Sequence, residues 1–184
     1  MRILFVCSGN LCRSPLAEQL LRAKLGPADS IAVESAGTIA RDGDAMDALA
    51  AAQSVRLGGD PTAHRSRSLT ESIAAGADLV LTAERSHRAD VVRLSPRVSK
   101  RAFTIKQFAR VLDGLEPGDL ADVSSAGMLV DRVARLRGTV PPPAEPADDD
   151  VDDPYRRSAA THARVADEIE RALATISDAL RSVS

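Results

Sequence analysis

The chain has 184 residues, 44% hydrophobic but only 2% aromatic, and a formal net charge of −2. That content is enough for one buried core, so a single domain over 1–184 is expected, and the charge gives no ground for expecting nucleic acid as a partner. There is no basic-apolar leader at the N-terminus and no apolar run of about 18 residues, so neither secretion nor a membrane is indicated and a cytoplasmic location is expected.

Ile3-Leu4-Phe5-Val6 is a continuous apolar run without alternation, the pattern of a strand buried on both faces. Pro15 to Leu25 reads as a helix with Ser14 as its N-cap and Pro15 in its first turn, and Gly26-Pro27 ends it. Ile31 to Ser35 is a second strand running into Ser35-Ala36-Gly37-Thr38, and a helix between two short strands argues for a parallel pair. Asp44 to Leu57 is alanine-rich and helical, ended by Gly58-Gly59-Asp60-Pro61. Ser68 or Thr70 caps a short helix through Ala75, Ala77 to Thr82 is a third strand, and Glu84 to Leu94 is another helix. Ala102-Phe103-Thr104 reads as a short fourth strand, and Ile105 to Leu112 turns back into helix. This alternation predicts an α/β fold: a doubly wound, four-stranded parallel sheet with helices on both faces.

From Asp113 to Asp152 the character changes, with Pro141-Pro142-Pro143, Pro146 and Asp148-Asp149-Asp150 around one amphipathic piece, Ala126 to Leu136. The segment 113–152 reads as a helix-bearing insertion followed by a mobile loop. Met128, Leu129, Val130, Val133 and Leu136 are spaced for packing on the core. After Ser158, the spacing of Val165, Ile169, Leu173, Ile176 and Leu180 predicts a long terminal helix.

The chemistry concentrates where the first strand gives way to the first helix. Val6-Cys7-Ser8-Gly9-Asn10-Leu11-Cys12-Arg13-Ser14 places successive backbone N–H groups at the positive end of a helix dipole, worth roughly half a charge, and phosphate suits such a loop. Those N–H groups and Arg13 favour the thiolate of Cys7. The planar fork of Arg13 binds two equatorial oxygens of a phosphoryl group while Cys7 attacks phosphorus. Ser14 donates a hydrogen bond to the sulfur when it leaves. Cys7 and Cys12 are too few for a disulfide framework and fit a reducing compartment. No cysteine or histidine stands at zinc-ligand spacing, so neither metal nor cofactor is expected. His87 and His162 read as solvated helix residues.

The run from Val6 through Pro15-Leu16-Ala17-Glu18 resembles the signature of the low-molecular-weight protein tyrosine phosphatases, and most of the chain can be laid on that family. The resemblance implies a phosphomonoesterase acting on phosphotyrosine-containing protein through a cysteinyl-phosphate, with Ser8, Gly9, Asn10, Leu11, Cys12 and Ser14 holding the phosphate. It implies that Asp153, followed by Pro154 and Tyr155, protonates the departing oxygen and then activates water. A phenolate whose conjugate acid has a pKa of about 10 leaves slowly without that proton. Pro154 constrains Asp153 to an extended backbone, neighbouring carboxylates favour its protonated form, and Asp152 is the alternative acid. Asn10, Ser35 and His64 resemble positions that brace the loop by hydrogen bonds. Cys12 resembles a cysteine that can form a disulfide with an oxidised nucleophile. At the pocket mouth the chain departs from the family, with Ile39, Ala40, Arg41, Asp42 and Arg156 where aromatic residues are common. Tyr155 alone is left to stack on a phenyl ring. Two other readings stay open on the same scaffold. One is thiol-dependent arsenate reduction, weakened by the lack of a third, downstream cysteine and by Pro15 where such reductases commonly carry glutamine; the other is a phosphoryl-binding module without turnover.

Overall fold

The computed structural model describes residues 1–26 and 31–183; Pro27, expected to end the first helix, lies outside the described residues. Four parallel strands, β1 (Arg2–Cys7), β2 (Ala32–Gly37), β3 (Leu79–Thr82) and β4 (Ala102–Thr104), form one sheet in the order β2-β1-β3-β4. The lack of alternation in β1 has its cause here. Ile3 and Phe5 point into one core with Leu79, Leu81 and Phe103, whereas Leu4 and Val6 point into another with Val80 and Ala102.

The first core is covered by α1 (Arg13–Leu25), α5 (Ile105–Asp113), α6 (Ala126–Leu136) and α7 (Ala159–Ser182), with α2 (Ala48–Arg56) beside them. The second, smaller core is covered by α3 (Glu71–Ala75) and α4 (Arg85–Leu94). In α7 the apolar stripe Val165, Ile169, Leu173, Ile176 and Leu180 is wholly buried. At roughly 1.5–3 kcal/mol for each large aliphatic side chain removed from water, that stripe is a principal attachment of the C-terminal helix to the sheet. In α6, Leu129, Val130 and Val133 pack on the same core, as their spacing predicts, while Met128 stays exposed.

Three expectations need correction. The alanine-rich helix starts at Ala48, because Asp47 is its N-cap and accepts from the N–H groups of Leu49 and Ala50. Ser14 does not cap α1: Cys12 occupies the N-cap position without a side-chain cap bond, and the Ser14 hydroxyl is used elsewhere. The acidic run expected to be a mobile loop is tied at several points. Arg110 holds Asp149 through two bonds of 3.0 and 2.9 Å, Arg85 holds Asp150, and the Val151 N–H donates to the Ala83 carbonyl at 2.8 Å. Arginines on α4 and α5 thus neutralise carboxylates that would otherwise repel one another and push the segment into water.

Candidate active site

Because β2 and β3 lie on opposite sides of β1, the chain departs in both directions from the carboxyl end of β1, where a crevice forms in sheets of this kind. Residues 8–12 fill that position, between β1 and α1. Their backbone polarity is sorted. Carbonyl oxygens turn outward: Cys7 accepts from the Thr38 N–H at 2.9 Å, Ser8 from Ile39 at 3.0 Å and Leu11 from Asp47 at 2.9 Å. No N–H of residues 8–12 has an acceptor among the described residues. A run of unpaired amides at a helix start is a cradle for an oxyanion. Gly37 is required beside it, since a Cβ there would lie 2.4 Å from the Ser8 carbonyl oxygen.

Asn10 holds the loop in shape. It adopts a left-handed φ of 55°, a conformation that asparagine tolerates better than most residues. Its side-chain amide donates to Ser14 Oγ at 3.0 Å and Ser35 Oγ at 2.8 Å, and its Oδ1 accepts from the Arg67 N–H at 2.9 Å. His64 Nε2 stands 2.8 Å from the Asn10 carbonyl oxygen, so the structure brings all three expected bracing residues to the loop. Ser14 Oγ is 3.0 Å from Cys7 Sγ. Asn10 donates to that oxygen, and the hydroxyl proton has two acceptors in reach, the sulfur and the Ala36 carbonyl at 3.5 Å. The Ser35 hydroxyl in turn donates a hydrogen bond to Glu18, whose other oxygen pairs with Arg22 at 2.8 Å. Glu18 therefore closes a buried polar chain that reaches Cys7, a role its place on a helix face gave no sign of.

Arg13 is 2% exposed. Its Nη1 donates to the Glu84 carboxylate and, at 2.9 Å, to the Val151 carbonyl. Asp153 Oδ1 faces Nη2 at 3.2 Å. These partners aim the guanidinium; its Nε–H has no acceptor among the described residues, and Nη2 is faced by Asp153, so a phosphoryl group taken bidentately on the Nε–Nη2 edge displaces that contact. Asp152 turns away to pair with Arg164 at 2.7 Å, so Asp153 is the carboxylate at the loop. Tyr155 is 42% exposed with the Arg156 guanidinium 5.2 Å from its ring centre, and Ile39, next to the loop through its N–H, is 80% exposed. Cys12 is buried, and burial first, then Asp47, pushes its thiol far above the ordinary value. Both cysteines are free thiols.

The expectation that His87 and His162 are solvated is wrong. His162 is enclosed by the packing of α7, 3.8 Å from Asp47. His87 is 4% exposed under the loop, with Nε2 2.8 Å from Ser8 Oγ and Nδ1 buried without a partner among the described residues. Glu84 and His87 went unread because nothing in the spacing of Ala83-Glu84-Arg85-Ser86-His87 says that α4 starts beneath the loop. Burial, the largest cause, holds the His87 imidazole below its ordinary value, helped by Arg13 and opposed by Glu84, Asp90 and Asp153. Between that depressed value and about 6.5 the unfolded chain binds a proton that the folded chain does not, so stability must rise with pH across this window. The melting temperature is therefore expected to fall between about pH 7 and about pH 5, and His87→Gln should flatten the fall; an unchanged slope in the variant would remove His87 from the account.

The family of low molecular weight phosphotyrosine protein phosphatases matches residues 2–122. The protein-arginine-phosphatase of Geobacillus stearothermophilus is 37% identical over 134 residues, 73% of this chain and 86% of that one. A solved arginine phosphatase structure from that organism superposes with a TM-score of 0.72, at 27% identity over 98% of this chain and 93% of the other. The low molecular weight protein-tyrosine-phosphatase Etp of Escherichia coli is 37% identical over 58% of this chain and 70% of its own length. The low molecular weight protein tyrosine phosphatase of T. tengcongensis superposes with a TM-score of 0.71, at 31% identity, covering 98% and 99% of the two chains.

Proposed function

We propose that this chain, which belongs to the low molecular weight phosphotyrosine protein phosphatase family, hydrolyses protein phosphotyrosine through a phosphate ester of Cys7. The observation that carries the reading is the loop of unpaired amides around Cys7 followed directly by Arg13, whose Nε–Nη2 edge is faced by Asp153. The Cys7 thiolate attacks phosphorus while the bond to the tyrosyl oxygen breaks, and Asp153 delivers a proton to that oxygen. The amides and Arg13 hold the equatorial oxygens as charge moves onto them. Water, deprotonated by Asp153, then attacks the phosphocysteine, and Ser14 donates to the departing sulfur. Asp153 lies beyond the 2–122 match, so its part rests on its distance from Arg13.

Cys12 belongs to the same reading as the thiol that captures an oxidised Cys7. Burial raises its thiol above the ordinary value, which disfavours the attacking thiolate. Two reduced thiols at one site suit the cytoplasm. Among the described residues no helix is long and apolar enough to cross a membrane.

A second reading, phosphoarginine as substrate, is favoured by the Geobacillus relative and by a mouth where Tyr155 is the sole aromatic residue. Tyr155 presents a face on which either a phenyl ring or a guanidinium can stack. Steady-state kinetics on matched phosphotyrosine and phosphoarginine peptides decide between them, with arsenate and an external thiol assayed beside. A higher kcat/KM for phosphotyrosine is expected; the reverse order would transfer the function to phosphoarginine.

A further inference from the structure

Away from Cys7, beside the edge strand β4 and at its N-terminal end, lies a cavity of about 650 Å³. Six cations line it, Arg88, Arg97, Lys100, Arg101, Arg135 and Arg137, against one carboxylate, Asp131. None of the six forms an ion pair among the described residues, whereas Arg41, Arg56, Arg85, Arg93, Arg110 and Arg132 each have a carboxylate. Three are held in place by neutral carbonyl oxygens instead. Arg88 Nε donates to Ala102 at 2.7 Å, Arg101 Nη2 to Ala75 at 3.1 Å and Arg137 Nη2 to Ala102 at 3.0 Å, with the Arg137 guanidinium stacked 3.6 Å from the centre of the Phe103 ring. The Nε atoms of Arg101 and Arg137 are buried and without a partner among the described residues.

Like charges gathered at fixed positions repel one another, and the repulsion is felt. Burial, and then Arg88, lower Arg137 to about 10. Nothing in phosphotyrosine hydrolysis uses these side chains, since the phosphate loop is built at the opposite, carboxyl ends of the strands.

We infer that this cavity binds a compact polyphosphate anion such as pyrophosphate or tripolyphosphate. Several guanidinium forks around one half-open pocket match the oxygens of adjoining phosphoryl groups, and their summed charge exceeds what one orthophosphate neutralises. The occupant is compact because the whole chain carries a net charge of −2, so the surface outside the cavity repels a long polyanion or an acidic membrane. No aromatic ring lines the space, so there is no platform for a nucleobase and recognition rests on the phosphates.

The test is calorimetric titration of the full chain with tripolyphosphate at low salt, the phosphate loop being filled beforehand by a saturating aryl phosphonate. Arg97 and Arg135 are the residues to change, because both are exposed and make no hydrogen bond or ion pair among the described residues. Saturable binding is expected in the parent, weaker with added salt, and weakened about tenfold or more in the double variant Arg97→Gln/Arg135→Gln, whose melting temperature and turnover of a small aryl phosphate stay at the parent values. Absence of binding in the parent, equal affinity in the variant, or tighter binding of orthophosphate or of a single-stranded oligonucleotide would each overturn the assignment. None of these results bears on Cys7, so failure here is distinguishable from failure of the phosphatase reading.

Discussion

Replacing Cys7 with serine is expected to lower phosphatase turnover by at least about 10⁴-fold while phosphate still binds. A hydroxyl is a far poorer anion than a thiol at neutral pH, yet in the proposed reading phosphate is held by the amides of residues 8–12 and the Arg13 guanidinium, and neither is altered by the change. The Ser14 hydroxyl and the Asn10 network that orients it also stay in place, so folding should be nearly unaffected. Turnover, phosphate affinity and melting temperature measured on one preparation check the three parts together. Substantial residual turnover would take the nucleophile away from Cys7, and lost phosphate affinity would mean that the sulfur shapes the cradle.

Asp153→Asn separates proton donation from everything else at the site. Phosphotyrosine cleavage should slow by about 10²–10⁴-fold, the usual contribution of a general acid. Aryl phosphates with good leaving groups should lose much less in the step that expels the phenolate, because that phenolate needs no proton. The substitution also removes a carboxylate 3.2 Å from Arg13 Nη2. Phosphate affinity should therefore hold or rise, a result that loss of a merely structural residue would not give. A series of substituted phenyl phosphates measures the dependence on leaving-group pKa. Equal loss across the series would move the acid elsewhere; Asp152 is ill placed to take over, paired as it is with Arg164.

The sheet was legible because its strands announce themselves by composition. The unalternating run of β1 requires apolar cover on both faces, and Ala102–Thr104, a weaker signal at three residues, is a strand as read. The closeness of Cys7 and Ser14 was legible because residues of one short loop stay near one another, so that sequence distance there approximates spatial distance. The parts that escaped reach the loop from far along the chain. Glu84 and Val151 aim Arg13 from 71 and 138 residues away, and His87 meets Ser8 from 79 residues away. No local pattern encodes such a meeting. Ser14 shows the opposite failure: serine before proline at a helix start suggests a cap, but its hydroxyl lies among Cys7, Asn10 and the Ala36 carbonyl instead. The acidic run misled because net local charge suggests solvation, whereas Arg85 and Arg110 meet it from other elements.

The central claim, a phosphate ester on Cys7, is tested most directly by acid quench during turnover of an activated aryl phosphate, followed by mass-spectrometric mapping of the phosphate. The Asp153→Asn variant is the one to use. Formation of the intermediate from that substrate needs little help from the acid, but its hydrolysis loses the base, so the ester accumulates. Phosphate on the peptide carrying Cys7, formed in a burst stoichiometric with enzyme and discharged at the rate of steady-state turnover, is the predicted result. A burst with the phosphate on another residue, or turnover with no phosphoenzyme at any quench time, would contradict it.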